Sequence, residues 1–151
     1  MKKVININTF KLFTDITATV AAMTRDWAKS GLVHIYSAHT TSCIRVLEKE
    51  ILSFADIRFW LDKYTPKDKP ENRRYLHDLI SLREDVDQDE RVNGFAHMRS
   101  LFFNTSETIP VAEGRIALGK WQSIIFVELD PGDGDKVKTK DRELIVTFIE
   151  E

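Results

Sequence analysis

Three histidines are the residues in this sequence whose side chains could do chemistry as a set. His39, His77 and His97 carry imidazoles that, when neutral, could hold a divalent metal with one position open to water or substrate. No HxH or HExxH signature connects them, so a shared site requires the fold to bring distant segments together. Separate structural histidines remain the alternative reading.

Hydroxyl side chains follow the first of these histidines. Thr40, Thr41 and Ser42 offer donors that, with nearby backbone amides, could hold a phosphate oxygen. Turn chemistry and ordinary strand threonines would account for the same residues. The segment therefore indicates either a phosphate site or a turn into a strand.

The run "GRIALGKWQSIIFVELD", residues 114 to 130, has a strand pattern interrupted by polar and small residues. Gly119 weakens a strand interior unless a turn, a bulge or a close approach requires it. Trp121 is more typical of a core, while a buried Gln122 requires hydrogen-bond partners. A substrate or a neighbouring subunit could supply both the close approach to the backbone at Gly119 and the hydrogen-bond partners of Gln122.

An acidic run and a lone cysteine give weaker signals. Asp85, Asp87 and Asp89 have the spacing of the first calcium ligands in an EF-hand, but the required glycine and final glutamate are Glu90 and Ala96. A solvated acidic loop is the better interpretation. The single cysteine lies on an apolar strand pattern, where a small buried hydrophobe is the usual role.

Composition excludes several classes of protein. The 151 residues fit one domain, 1–151, that is long enough to bury its own core. With 22 basic and 24 acidic residues, the net charge of -2 gives no general field for binding nucleic acid. One cysteine, no signal peptide and no long apolar run lead us to expect a soluble, cytoplasmic protein with no membrane partner.

Hydrophobic periodicity predicts an α+β fold, because strands cluster at both ends with helices between them. The predicted helices cover 16–27, ending at Gly31, then 49–63, 73–82 and 95–102. The predicted strands cover 3–12, a strand pair within 32–48, and 106–112, 115–119, 121–130 and 136–150.

Three segments, taken in order, resemble the YjbQ family, also described as the secondary thiamine-phosphate synthase family. They are "SGLVHIYSAHTTSCIRVLE", "NGFAHMRSLF" and "TIPVAEGRIALGKWQSIIFVELD". They are similar to the family patterns His-Thr-Thr-Ala-Gly-Ile, Asn-Ala-Asp-Ala-His and Gly-Arg-Leu-Ala-Leu-Gly-Thr-Trp-Gln. The resemblance extends over residues 3 to 149.

The resemblance implies an α+β domain with mixed or antiparallel sheets, assembled as a homotrimer around a polar, histidine-lined pocket. It implies His39 and His97 as catalytic residues, with His77 joining them if the pocket holds a divalent metal, zinc or magnesium. The substrate-binding residues it implies are Thr40, Thr41, Asn93, Gly119, Trp121 and Gln122.

Departures from the family patterns predict altered pocket chemistry. Phe95 replaces an aspartate, which removes a base, ligand or imidazole orienter from that place. Leu47-Glu48 replaces Asn-Glu, and Lys120 replaces a threonine. The closing Asp-Gly-Pro-Arg becomes "DPGDGDK", which leaves Lys136 as the candidate to replace the arginine.

The function implied is a small-molecule enzyme that binds phosphorylated substrates. Its side activity would join a pyrimidine diphosphate to a thiazole phosphate and release pyrophosphate. A metal-assisted phosphate-ester hydrolase would use much the same residues. A non-catalytic trimer that binds an anion or metabolite, or a purely structural protein, is the alternative from a different class.

Overall fold

The computed structural model describes residues 1–69, 71–84, 86, 90–131 and 140–151. Within them, three α-helices, two short 3₁₀ turns and eight strands follow one another. In chain order they are β1 Lys2–Thr9, β2 Phe13–Asp15, α1 Thr17–Trp27, β3 Gly31–Ser37, β4 Ser42–Glu48, α2 Ile51–Tyr64, 3₁₀ turns at Leu76–Asp78 and Ile80–Leu82, α3 Gly94–Ser100, β5 Ser106–Ala112, β6 Arg115–Ile116, β7 Gln122–Glu128 and β8 Lys140–Glu150.

The strands form two antiparallel sheets. The larger sheet has the order β1-β8-β3-β5-β6, and the smaller sheet has the order β2-β7-β4. In the smaller sheet Ser42 lies opposite Glu128 and Glu48 lies opposite Gln122, which fixes both ends of β7 against β4. The predicted α+β class is confirmed.

Strand β7 separates two hydrophobic cores. Ile124 and Phe126 pack into the core shared with the larger sheet, whereas Ile125 and Val127 pack into a second core with Cys43. All four of these β7 side chains are fully buried. Burial on both faces explains why this strand reads as a continuous apolar run rather than an alternating one.

Three details of the predicted local structure are wrong. Helix α1 ends on Ala28, which has a φ of 57°, and the positive φ of Gly31 instead serves the start of β3, where a Cβ would collide with the Ile149 carbonyl oxygen. The segment predicted as a helix over 73–82 contains the two 3₁₀ turns. Strands β3 and β4 lie in different sheets and do not pair with each other.

The interruption before β7 is a turn. The Gln122 amide donates to the Gly119 carbonyl oxygen at 3.0 Å, and the Gly119 amide donates to Gln122 Oε1 at 2.8 Å. A Cβ at position 119 would lie 3.3 Å from that Oε1, which is tight. Glycine is therefore suited to this position because the Gln122 side chain folds back over it.

Helix α2 leaves most of its apolar side chains in solvent. Leu61 is its one buried residue, while Ile51, Phe59 and Trp60 are exposed. Its first turn is capped by Glu50, whose carboxylate accepts from the amides of Leu52 at 2.9 Å and Ser53 at 2.7 Å. No helix of the described residues has the length and hydropathy of a membrane span.

Candidate functional site

The carboxyl end of β7 carries two buried carboxylates. Glu128 is 0% exposed and Asp130 is 1% exposed, although both follow an apolar strand. The Leu129 amide donates to the Thr41 carbonyl oxygen at 2.9 Å, so the His-Thr-Thr segment lies against this end of the strand. Buried carboxylates require charged or hydrogen-bonding partners.

Arg142 of β8 supplies the partner of Glu128. Its Nε donates to Glu128 Oε2 at 2.6 Å, and its Nη2 donates to Oε1 at 3.0 Å, which is a two-point contact. The Arg142 side chain is only 12% exposed. The Asp130 amide donates to the same Oε1 at 3.1 Å, so the pair also fixes the chain after β7.

His39 and Thr41 lie on the other side of that guanidinium. Arg142 Nη1 lies 3.4 Å from His39 Nδ1, and Nη2 donates to Thr41 Oγ1 at 3.3 Å. Burial, followed by the positive charge of Arg142, lowers the pKa of His39. A guanidinium only donates and a neutral imidazole has one acceptor nitrogen, so this contact competes with that of the Glu143 amide, which lies 3.4 Å from Nε2.

His77 and His97 form an imidazole pair. Their ring centroids lie 4.5 Å apart, with His77 in the first 3₁₀ turn and His97 in α3. Arg83 Nη1 lies 3.3 Å from His77 Nε2, which assigns that nitrogen as the acceptor and the proton to Nδ1. Nδ1 lies 3.6 Å from Asp78 Oδ1, too far for a hydrogen bond.

His97 is the imidazole with an available nitrogen. Burial, followed by the neighbouring His77, lowers its pKa, while Asp130 opposes that shift. Within the described part of the chain, neither ring nitrogen of His97 has a hydrogen-bond partner. A neutral, half-buried imidazole of this kind can accept or deliver a proton near pH 7.

Among the residues that the structure describes, three buried polar atoms around this pair lack hydrogen-bond partners. They are His77 Nδ1, Asp78 Oδ2 and Asn93 Oδ1. The other oxygen of Asp78 accepts from the Gly94 amide at 2.7 Å and so caps α3, a role that the Asn93 side chain does not take. An unsatisfied buried polar atom costs about 1–3 kcal/mol, so the cluster is suited to a polar ligand that completes it.

Arginines accompany these carboxylates. Arg91 Nη2 donates to Asp130 Oδ1 at 2.9 Å, and Arg83 contacts His77 as described. Together with Arg142, they place three guanidinium groups along the carboxyl end of β7. A site with both fixed cations and buried acceptors can bind an anion and a cation, or a donor group, side by side.

The residues predicted from the sequence divide into two groups. His39 and Thr41 lie with Arg142, whereas His77, Asn93 and His97 lie together. The two clusters meet through Glu128 and Asp130, since the charge of Asp130 acts on His97 and its amide binds Glu128. Thr40 is exposed in the turn before β4.

Gly119, Trp121 and Gln122 lie at the opposite end of β7 within one chain. Gln122 is opposite Glu48 and Glu128 is opposite Ser42, so the strand separates them by about 20 Å. The Trp121 side chain is exposed. Within one protomer these residues therefore do not face the histidines.

No cluster of three or more His, Cys, Asp or Glu side chains arranged for a metal occurs among the described residues. Both nitrogens of His39 face donors, since the Glu143 amide lies 3.4 Å from Nε2. Asn93, whose Oδ1 lacks a partner among the described residues, could add an amide oxygen ligand. Asp85, Asp87, Asp89 and Lys136 lie outside the described residues.

Phe95 lies away from His97. It is buried in the second core, and its ring centroid is 5.2 Å from Lys67 Nζ and 5.0 Å from Arg99 Cζ. Residues two apart on a helix face different directions. The side chain at position 95 is thus an aromatic ring in contact with two cations rather than with the histidines.

Sequence reasoning missed Arg142, Glu128 and Asp130. A usable signal was present for Arg142: it has the same alternation phase as Leu144 and Val146, which are buried on β8. A cation in phase with a buried strand face indicates a buried acidic partner. Glu128 and Asp130, two acids directly after an apolar run, are the matching signal.

Comparisons with known proteins agree with this fold. A sequence model described as "UPF0047 protein YjbQ-like" matches residues 3–151. A UPF0047 protein of Methanothermobacter thermautotrophicus is 32% identical over 117 residues, 77% of this chain and 72% of that protein. YugU, a UPF0047 protein of Bacillus subtilis, is 32% identical over 133 residues, 86% of this chain and 90% of that protein.

Solved structures give the same result. A hypothetical protein from Aeropyrum pernix superposes with a TM-score of 0.78 at 27% identity, covering 100% of this chain and 99% of that one. A protein from Sulfolobus solfataricus described as YbjQ-like and of unknown function gives 0.74 at 28% identity, covering 97% and 94%. The chain therefore belongs to the UPF0047, YjbQ-like family.

Proposed function

We propose that this protein binds a small phosphorylated molecule at the carboxyl end of β7 and acts on it with His97 as the acid–base group. The observation that carries the proposal is the neutral imidazole of His97, which lacks a hydrogen-bond partner among the described residues. It lies beside His77 and within the influence of Asp130 and Arg83. An acid–base group needs both availability and a pKa near the working pH.

The arginines support binding of a phosphate. Guanidinium groups match phosphate oxygens in geometry and stay charged at all physiological pH values. Arg91 is partly exposed, and among its contacts with the described residues only Nη2 donates, to Asp130 Oδ1, which leaves its other N–H groups for a ligand. Thr41 and Arg142 provide further donors near His39.

The unpartnered acceptors support a divalent cation in the same site. Asp78 Oδ2 and Asn93 Oδ1 are oxygen ligands that magnesium accepts, and His97 would add a nitrogen ligand that zinc prefers. His39 and His77 suit this role less well, because both nitrogens of His39 and the Nε2 of His77 face donors. A bound cation would neutralise phosphate charge.

Two enzyme classes fit these groups. The family resemblance favours transfer of a pyrimidine unit from its diphosphate to a thiazole phosphate, in which His97 and the arginines would assist departure of pyrophosphate. Hydrolysis of a phosphate ester would need His97 to take a proton from water. A non-catalytic anion-binding protein is the second candidate, favoured by the donors that occupy His39 and His77.

A homotrimer would complete this site. Exposed Ile51, Phe59 and Trp60 of α2 provide apolar surface for association. In a ring each subunit contacts its neighbour through two different surfaces, so the Gly119–Gln122 turn of one subunit can lie over the histidines of the next. That arrangement would let Trp121 and Gln122 contribute to substrate binding despite their distance within one chain.

Substituting His97 tests the proposal. His97→Gln and His39→Gln would be compared with wild type for pyrophosphate release from the two thiamine precursors and for phosphate release from p-nitrophenyl phosphate, with added magnesium or zinc. His34→Gln is the matched control, because His34 Nδ1 lies 2.8 Å from Thr108 Oγ1 on β3, away from this site. We expect His97→Gln to lower turnover by about 10²–10⁴-fold while His34→Gln keeps it.

Phosphorus NMR titration of the same proteins separates an enzyme from a binder. Saturable binding of thiamine phosphate without turnover, lost in His97→Gln, would assign the anion-binding function. Wild-type turnover that persists in a folded His97→Gln variant would contradict the role given to His97. Sedimentation velocity would test the trimer, and a monomer at micromolar concentration would reject it.

A further inference from the structure

A large cavity lies between helix α2, the segment before β2 and the loop after α2. Its volume is about 880 Å³, and its walls include Phe13, Phe54, Arg58, Lys67 and Arg99. Cavities of roughly 300–1,000 Å³ are typical of small-molecule sites. No histidine lines it among the described residues, although Pro131, the residue after Asp130, does; the cavity therefore adjoins the carboxyl end of β7 without including the histidine cluster.

One wall of this cavity is an aromatic platform. The rings of Phe13 and Phe54 stack with centroids 4.5 Å apart and planes inclined by 21°. Phe10, which also lines the cavity, is exposed. Rings in this arrangement offer a flat apolar surface on which another planar group can stack.

Basic side chains also line this cavity. Among the described residues, Lys11, Arg58, Lys67 and Arg99 line the cavity, with Asp62 as the acidic residue. Lys67 Nζ and Arg99 Cζ also lie over the Phe95 ring, at 5.2 Å and 5.0 Å from its centroid. The excess of positive charge favours an anionic occupant.

Arg99 is the most informative of these residues. Its side chain is 4% exposed, and it donates through Nε at 3.2 Å and Nη2 at 3.1 Å to the Thr65 carbonyl oxygen, and through Nη2 at 2.7 Å to Asp62 Oδ1. In the described part of the chain, Nη1 has no hydrogen-bond partner. The carboxylate of Asp62 is itself 56% exposed, so it compensates this buried charge only in part.

We propose that this cavity is a second ligand site, which binds a small anion carrying a flat aromatic or heteroaromatic group. The planar group stacks on an outer face of the Phe13–Phe54 pair, while the anionic group receives the free donor of Arg99 and the charge of Arg58. The proposal goes beyond the function assigned to His97, because none of its residues belongs to that cluster.

The probe for this site is 2-naphthalenesulfonate, which is planar, anionic and free of phosphate. Its binding to wild type would be measured by isothermal titration calorimetry against 2-naphthylmethanol, a neutral molecule of the same shape. We expect saturable binding of the sulfonate and much weaker binding of the alcohol. Equal affinity for the two would overturn the assignment of an anion site.

Three variants place the probe in the cavity. Arg99→Met should weaken the sulfonate by about tenfold or more, since a charge-assisted hydrogen bond is lost. Arg58→Gln, at an exposed position that does not endanger folding, should weaken it about threefold at low salt. Lys63→Gln is the matched control: it removes one charge from the same helix at a residue outside the cavity wall and should change nothing.

The His97→Gln variant separates this proposal from the first. Sulfonate binding that survives His97→Gln and weakens in Arg58→Gln supports the second site, whatever the outcome for turnover. Sulfonate binding lost in His97→Gln but kept in Arg58→Gln would place the anion at the histidines and overturn the proposal. A change of oligomeric state in Arg58→Gln without a change in probe affinity would assign the cavity to subunit contact instead.

Discussion

The two ends of β7 differ in how their polar groups are satisfied. At the amino end Gln122 and Gly119 satisfy each other within a four-residue turn, and Trp121 lies in solvent. At the carboxyl end Glu128 and Asp130 are buried and depend on arginines from distant segments. A local turn tolerates change, whereas a buried network couples folding to the site.

Among the substitutions that test this difference between the two ends of β7, loss of Arg142 should lower the free energy of unfolding most. Arg142→Met leaves the fully buried Glu128 carboxylate without its cation, and breaking such a pair costs about 3–5 kcal/mol. The free energy of unfolding from urea titration would measure it. Arg45→Met, an exposed arginine on β4, is the control. A loss under about 1 kcal/mol for Arg142→Met would contradict the importance given to the Arg142–Glu128 pair.

A methyl group at position 94 should have the next largest effect. The Cβ of Gly94→Ala would lie 2.6 Å from Tyr75 Cβ and 3.0 Å from Asp78 Oδ1, so the cap of α3 must shift. We expect a loss of about 1–3 kcal/mol in unfolding free energy. Gly119→Ala should lose less stability, because its Cβ contact at 3.3 Å is with a flexible side chain. Equal losses in the two variants would contradict the difference between the two ends of β7.

The third prediction concerns pH. The pKa values of His39 and His97 are lowered in the folded protein, so the unfolded chain binds more protons below an ordinary imidazole value of about 6.5. Stability should be complete above that value and fall as the pH drops below it toward the folded pKa values. Urea titrations from pH 7.5 to 5 would measure the slope.

Histidine variants identify the source of that slope. A double His39→Gln, His97→Gln variant should flatten the pH dependence, whereas His34→Gln should preserve it. An unchanged slope in the double variant would show that other groups, such as the buried carboxylates, control acid destabilisation.

The smallest effect is expected at the amino end. Gln122→Ala removes the acceptor of the Gly119 amide, but solvent can replace it because the bond is exposed. The expected change in unfolding free energy is about 0.5 kcal/mol. If the protein is a trimer with this turn in the interface, sedimentation of Gln122→Ala should reveal weakened association that unfolding of the isolated chain does not.

The sequence predicted the strands and helices where one apolar phase persists. β5 was predicted with its observed bounds, and α2 within two residues, because strand alternation and helical spacing are local properties. The sequence could not predict that α1 ends on Ala28 in a left-handed conformation, since glycine is the residue expected there. Sheet membership of β3 and β4 also depends on distant strands.

The candidate site was predictable only in part. The family patterns led us to predict His39, Thr41, Asn93 and His97 as site residues, but not that His39 would contact Arg142, the cation that pairs with Glu128. Pairing across 14 positions or more depends on the fold rather than on spacing. Phe95 likewise looked like a pocket residue until α3 placed it in the second core.

The position of β7 has a consequence for hydrogen exchange. Its backbone is paired on both edges, by β2 and β4, and covered on both faces by the two cores. The amides of Ile124 to Val127 should therefore exchange only when the whole chain unfolds, at rates that report global stability. Glu128 ends this strand and Asp130 lies two residues beyond it, so the carboxylates of the site are held in place before any ligand arrives.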